Sequence, residues 1–101
     1  MFEKQANIAK AIAHPVRVAV VDFLRTGEQC VCDIAVRVGT ERTNLSKHLS
    51  VMVSAGVLES RKDGLKVMYK IKTPCMVRFL DCLREVLKEQ ARESQDLLKA
   101  M

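Results

Sequence analysis

The 101-residue chain lacks any apolar run approaching the ~20 residues that a helix needs to cross a bilayer. Its start has no charged region leading into an apolar core of the kind that directs secretion. A soluble, cytoplasmic protein is therefore expected. No internal repeat or low-complexity tract is visible. No Ser/His/Asp set, phosphate loop or paired-carboxylate site marks an enzyme. Histidine is scarce: there are two, His14 and His48, and none falls among residues 73–101. The four cysteines, Cys30, Cys32, Cys75 and Cys82, come without a secretion signal, which favours reduced thiols serving metal or redox chemistry over a disulfide frame.

A hydrophobic content of 49% over this length suits one small globular domain spanning residues 1–101, with little stability to spare. The formal charge of +5 is unevenly placed. Residues 1–35 hold four basic and four acidic side chains, residues 73–101 hold five and five, and residues 36–72 hold eight and three. The whole excess sits in the middle third, the footprint of an anionic partner contacted by one region, with nucleic acid the usual candidate.

That middle third contains a two-helix pattern. Ile34, Ala35 and Val38 recur at helical spacing and stop at Gly39, where a residue without a Cβ takes a left-handed turn; Thr40 then offers a hydroxyl to cap a second helix built on Leu45, Leu49, Met52 and Val53. Two short helices joined by a tight glycine turn make a helix-turn-helix. Thr40, Arg42, Thr43, Asn44, Ser46, Lys47 and His48 supply donors and acceptors for phosphates and base edges, although a merely solvated face would carry similar residues.

The flanking segments read as support. Helices are predicted over Phe2–Ala13 and from Pro15 to Arg25, the latter apolar around most of its circumference and broken by Thr26-Gly27. After Gly56 the period moves toward two, and residues 57–61 and 66–71 flank Lys62-Asp63-Gly64-Leu65 as a hairpin. Arg61, Lys62 and Lys66 at its tip suit a phosphate backbone or an adjacent minor groove, and lysine on an edge strand also discourages aggregation. Pro74 opens a final helix running toward Met101. Its apolar stripe, which includes Phe79, Leu80, Leu83 and Leu87, is too long for one small domain to cover, so it is expected to pair with a copy of itself.

In this order the segments resemble the ArsR/SmtB family of metal-responsive winged-helix repressors over nearly the whole chain. The strings that carry the likeness are His14-Pro15-Val16-Arg17, Ser46-Lys47-His48-Leu49, Ala55-Gly56-Val57-Leu58, and Arg61-Lys62-Asp63-Gly64 followed by Tyr69. Most telling is Cys30-Val31-Cys32-Asp33-Ile34, similar to the Cys-Val-Cys-Asp box of the arsenic-sensing and cadmium/lead-sensing branches. The resemblance implies a mainly α fold with a small β-hairpin: a winged helix-turn-helix of four helices, two strands and a last helix, homodimeric through its N- and C-terminal helices. It also implies a repressor of a resistance operon that leaves double-stranded operator DNA when a thiophilic ion binds. As(III) or Sb(III) is the expected inducer, then Cd(II) or Pb(II), with Zn(II) after them.

The chemistry of the box can be argued separately. The unpaired amides and dipole at a helix start favour thiolate at Cys30 and Cys32. Two thiolates two residues apart cannot face one side of a regular helix or strand, so convergence on one ion distorts the first turn, and that distortion is the expected switch. The chain departs from the family in two places. Ala35 stands where the arsenic branch often has a third cysteine, and no cysteine precedes Cys30. Two sulfurs are too few for these ions. The third is expected from Cys75, beside Pro74 at the frayed start of the last helix, with Cys82 the likelier core residue. These two lie about 10 Å apart at ~1.5 Å rise per residue, too far to share a small ion. The family's zinc site on the last helix looks absent, for want of histidine there. Thiol oxidation in place of metal binding, and a metal carrier without a DNA role, are the competing functions; the middle-third charge and the hairpin argue against the carrier.

Overall fold

Local signals start and stop the helices. In a computed structural model describing residues 1–101, the helices are α1 (Phe2–Lys10), α2 (Pro15–Leu24), α3 (Val31–Val38), α4 (Arg42–Ser54) and α5 (Cys75–Ala100). The strands are β1 (Gln29–Cys30), β2 (Leu58–Asp63) and β3 (Lys66–Ile71). His14 caps α2 by accepting the Val16 amide on Nδ1 at 3.1 Å, with Pro15 at the first helical position, where no donor is lost. Gly39 ends α3 in the left-handed conformation (φ 75°), its amide and that of Thr40 both donating to the Ala35 carbonyl. At the end of α4 the Val57 amide donates to Met52 and the Gly56 amide to Val53, the paired bonds of a Schellman stop.

The core joins Val20, Val21 and Leu24 of α2, Val31, Ile34 and Ala35 of α3, and Leu45, Leu49 and Met52 of α4. Val57, Leu58 and Leu80 close it on the sheet side, and Ala11 and Ile12 close it between α1 and α2. Each fully buried branched or unbranched aliphatic side chain contributes roughly 1.5–3 kcal/mol, so α4 is anchored mainly by three residues at the spacing i, i+4, i+7. Two sequence expectations shift here. The first helix stops at Lys10 rather than Ala13 and buries no residue of its own; the buried Ala11 and Ile12 lie in the turn after it. α2 is not enclosed on all sides, because Val18 stays exposed. Of α5 only Leu80 is buried.

The sheet was expected to be a plain hairpin, and it has a third strand. Its order is β1-β3-β2, all antiparallel, with Gln29 opposite Tyr69 and Cys30 opposite Met68. In the hairpin Asp63 faces Lys66, so the connection is only Gly64-Leu65, two residues shorter than predicted. Gly64 has φ 63° and no non-glycine residue has positive φ, which makes this a type II′ turn. The unforeseen strand joins the Cys30-Cys32 segment directly to the wing.

Candidate DNA interface and thiol segment

Burying Leu45, Leu49 and Met52 turns the opposite face of α4 outward. Arg42, Thr43, Asn44, Ser46 and Lys47 are all exposed. Asn44 donates to the Thr40 hydroxyl at 3.1 Å and Ser46 donates to the Arg42 carbonyl at 2.9 Å, while Arg42, Thr43 and Lys47 have no side-chain partner in the chain. Thr40 does not cap the helix: Glu41 holds the cap position, without a side-chain bond, because α4 starts one residue later than a Thr40 cap requires.

His48, which the sequence allows as either a structural or a DNA-facing residue, takes the structural place. It is turned toward α2, where its Nδ1 accepts Arg17 Nε at 3.0 Å and its ring lies 4.4 Å from that of His14. Burial, then the neighbouring His14 and Arg17, hold its pKa below the ordinary value. His48 thus braces α4 against α2 as a neutral ring.

On the wing, Arg61 is already paired within the chain. Its Nε and Nη2 donate to the two carboxylate oxygens of Glu28 at 2.9 and 2.6 Å, a bidentate fork that lowers the Glu28 pKa and raises that of Arg61. Lys62 and Lys66 remain exposed and unpaired at the tip. Glu28 lies just before β1 and Arg61 on β2, so the fork holds the wing's outer strand to the thiol segment. Sequence spacing offered no signal for it.

The thiols occupy different environments. Cys30 ends β1 and caps α3, buried, with its sulfur accepting the Asp33 amide at 3.4 Å. Cys32, in the first turn, is exposed beside a shallow hollow that includes Val36, Thr40 and Arg42. Cys75 is exposed at the first position of α5. Cys82 is exposed rather than in the core, because it lies about 200° around α5 from Leu80, the residue that docks the helix. No three metal-ligating side chains converge within one chain, so Cys30, Cys32 and Cys75 are not assembled as a preformed site.

The assembly face also needs one reassignment. Leu80, expected at a dimer interface, is 8% exposed and belongs to the chain's own core, whereas Phe79, Leu83 and Leu87 are 42%, 44% and 64% exposed. Leu80, Leu83 and Leu87 line an apolar groove of about 280 Å³ with Val18 of α2. Arg25 bridges Asp22 at 3.1 Å and Asp81 at 3.0 Å, pinning the base of α5 to α2; this pairing was not anticipated.

The winged helix-turn-helix expected from the residues is the fold observed. A profile of the family described as "Bacterial regulatory protein, arsR family" matches residues 14–60, from the His14 cap into β2. An uncharacterized HTH-type transcriptional regulator of Mycobacterium tuberculosis, Rv0081, is 33% identical over 86% of this chain and 77% of its own length. Its crystal structure superposes with a TM-score of 0.81 at 31% identity, covering 92% of this chain and 94% of that one. The chain belongs to the arsR family, whose members are transcriptional regulators and not enzymes. A homodimeric winged helix-turn-helix DNA-binding domain of Mycobacterium bovis, Mb0332, superposes with a TM-score of 0.79 at 28% identity, over 91% of this chain and 85% of that one. The arsenical resistance operon repressor of Staphylococcus xylosus is 29% identical over 85% of this chain and 79% of its own. No helix is long and apolar enough to cross a membrane.

Proposed function

We propose that the protein is a cytoplasmic repressor, one domain over residues 1–101, that binds operator DNA as a homodimer and is released when As(III) or Sb(III) binds its cysteines. Arg42, Thr43, Asn44, Ser46 and Lys47 would meet the major groove, with Lys62 and Lys66 on the flanking backbone. Phe79, Leu83 and Leu87 would be covered by a second copy, as the homodimeric Mycobacterium bovis relative suggests.

The observation that carries the sensor reading is the double duty of Cys30. Its sulfur caps α3 and its backbone pairs with Met68 of the wing. An ion that takes both Cys30, at the extended cap position, and Cys32, in the first turn, would pull on the sulfur that caps α3 and strain the start of that helix. That disturbs the helix packed on α4 and the strand paired with β3 in one step. Cys75, exposed on a helix start next to Pro74, is the preferred third sulfur, from the same chain or its partner. The arsenical repressor relative favours As(III); Cd(II) and Pb(II) are the next ions by thiol preference, and Zn(II) the last. A second reading, release by thiol oxidation, draws on the exposure of Cys32, Cys75 and Cys82.

The test is anaerobic titration of the operator complex with As(III), followed by fluorescence anisotropy, alongside Cys30→Ser and Cys32→Ser. Wild type should release its DNA. Both variants should bind DNA normally and fail to release, serine at position 30 keeping a good cap while losing the soft ligand. Release by peroxide but not by As(III) would favour oxidation, and unimpaired release of both variants would end the thiol-sensor reading.

A further inference from the structure

Where α1, α2 and α4 meet, a cleft of about 490 Å³ opens that none of the expected DNA contacts uses. Asn7 and Lys10 of α1, Arg17 of α2, and Ser50 and Ser54 of α4 supply its polar lining, and no acidic side chain borders it. Two observations link it to the exposed face of α4. At 3.6 residues per turn, Thr43, Lys47, Ser50 and Ser54 fall within one sector of about 60°, so the cleft continues that face toward the C-terminal end of the helix. Arg17 is also held in place: Nε donates to His48 at 3.0 Å and Nη1 to the Lys10 carbonyl at 3.4 Å, leaving Nη2 without a partner in the chain.

Four of the eight arginines, Arg25, Arg61, Arg84 and Arg92, lie against a carboxylate. Arg17 does not, and it differs from the other unpaired arginines in being held by two neutral acceptors, His48 and the Lys10 carbonyl. A guanidinium fixed by neutral acceptors, beside a lysine and two hydroxyls, offers positive charge and preplaced donors that suit an anion. With Asp22 engaged by Arg25 and Glu28 by Arg61, residues 1–35 keep Lys4, Lys10 and Arg17 against Glu3 and Asp33, and neither of those two carboxylates borders the cleft that Lys10 and Arg17 line.

We infer that this cleft is a second phosphate-binding patch, seating the sugar-phosphate backbone of the same duplex whose major groove receives the first turns of α4. The inference rests on the DNA-binding reading and extends the footprint to α1 and the start of α2. Besides bracing α4 against α2, His48 thereby holds Arg17 at the edge of the DNA face.

The experiment measures operator affinity against salt for wild type, Lys10→Gln, Ser50→Asp and Lys47→Ala, with Lys99→Gln near the end of α5 as control. Lys10→Gln should reduce the slope of log K on log salt by about 0.9 per protomer and weaken unrelated duplexes in the same proportion. Ser50→Asp should weaken binding further by setting a carboxylate against phosphate, and Lys99→Gln should change nothing. If Lys47→Ala flattens the slope while Lys10→Gln and Ser50→Asp behave as wild type, the patch is refuted and the DNA reading stands. If none of these variants moves the slope, both fall. Saturable shifts of the Lys10 and Ser50 amide resonances on adding inorganic phosphate, with an unchanged Lys10→Gln slope, would assign the cleft to a free anion and overturn the backbone assignment.

Discussion

α4 and α5 both carry apolar stripes, and only one stripe is covered. Leu45, Leu49 and Met52 of α4 are completely buried, while α5, twice as long, buries Leu80 alone and leaves Phe79, Leu83, Val86 and Leu87 open. The difference separates two kinds of apolar helix. Where every apolar position of one face is satisfied within the chain, the other face is free to be polar and to read a ligand. Where the stripe outruns the chain's own core, the surplus is a surface for a second copy. At about 1.5 Å per residue α5 extends roughly 39 Å, most of it beyond reach of the helices that form the core.

The sharpest way to break the comparison is to place charge on the exposed surplus of α5 and to truncate the buried stripe of α4. Leu87→Asp combined with Leu83→Asp should leave the protomer folded but dissociate the dimer, and with it lose the gain of engaging two half-sites at once, about 10²–10⁴-fold in operator affinity. Sedimentation and anisotropy would show both effects; a dimer surviving in this variant would place the interface elsewhere. On α4 the corresponding deletion acts on the fold itself. Leu49→Ala should cost about 2–5 kcal/mol in urea unfolding, through lost burial and the cavity left behind. A cost below ~1 kcal/mol would mean that the core under α4 repacks freely and that its three buried residues are not its anchor.

The smallest effect concerns the brace of α4. Because the folded-state pKa of His48 is depressed, the unfolded chain takes up its proton first as pH falls. Stability should therefore be full above the reference value of 6.5 and decline as pH drops from there toward the folded pKa. Glu28, also depressed, gives the same sign of dependence in a lower window, below its reference value of 4.5. Urea midpoints between pH 7 and 5 should slope for wild type and flatten for His48→Asn, which keeps an acceptor for Arg17 without a titrating ring. Equal slopes would show that His48 does not titrate in that window.

Features set by neighbours in sequence were legible in it. Pro15, Gly39 and Gly56 mark helix boundaries because each acts on its own backbone, and Asp63-Gly64 marks the hairpin for the same reason. The dispositions that were missed are set by partners distant in the chain. Two residues of β1 have no periodicity to read; they are a strand only because Tyr69 and Met68 lie opposite. Arg61 looked free because Glu28 is 33 positions away, and His48 read as either structural or DNA-facing because it borders the buried sector of α4, where Arg17 and His14 decide its direction. Cys82 was placed in the core because α5 carries more apolar residues than the core can take, so periodicity could not say which of them dock. Of the expected site, the exposed face of α4 was readable, while the inaccessibility of Cys30 was not.

β1 also has a consequence in time. Its two rungs join residues 40 positions apart, Gln29 and Tyr69, around α3, α4, β2 and the start of β3. With two rungs against the six that join β2 to β3, β1 is the weakest ladder of the sheet, and its amides are expected to exchange with solvent ahead of the others. The Cys30 sulfur, buried where that of Cys32 is exposed, should then react with a thiol reagent more slowly than Cys32; equal labelling rates would show that the two rungs do not guard it.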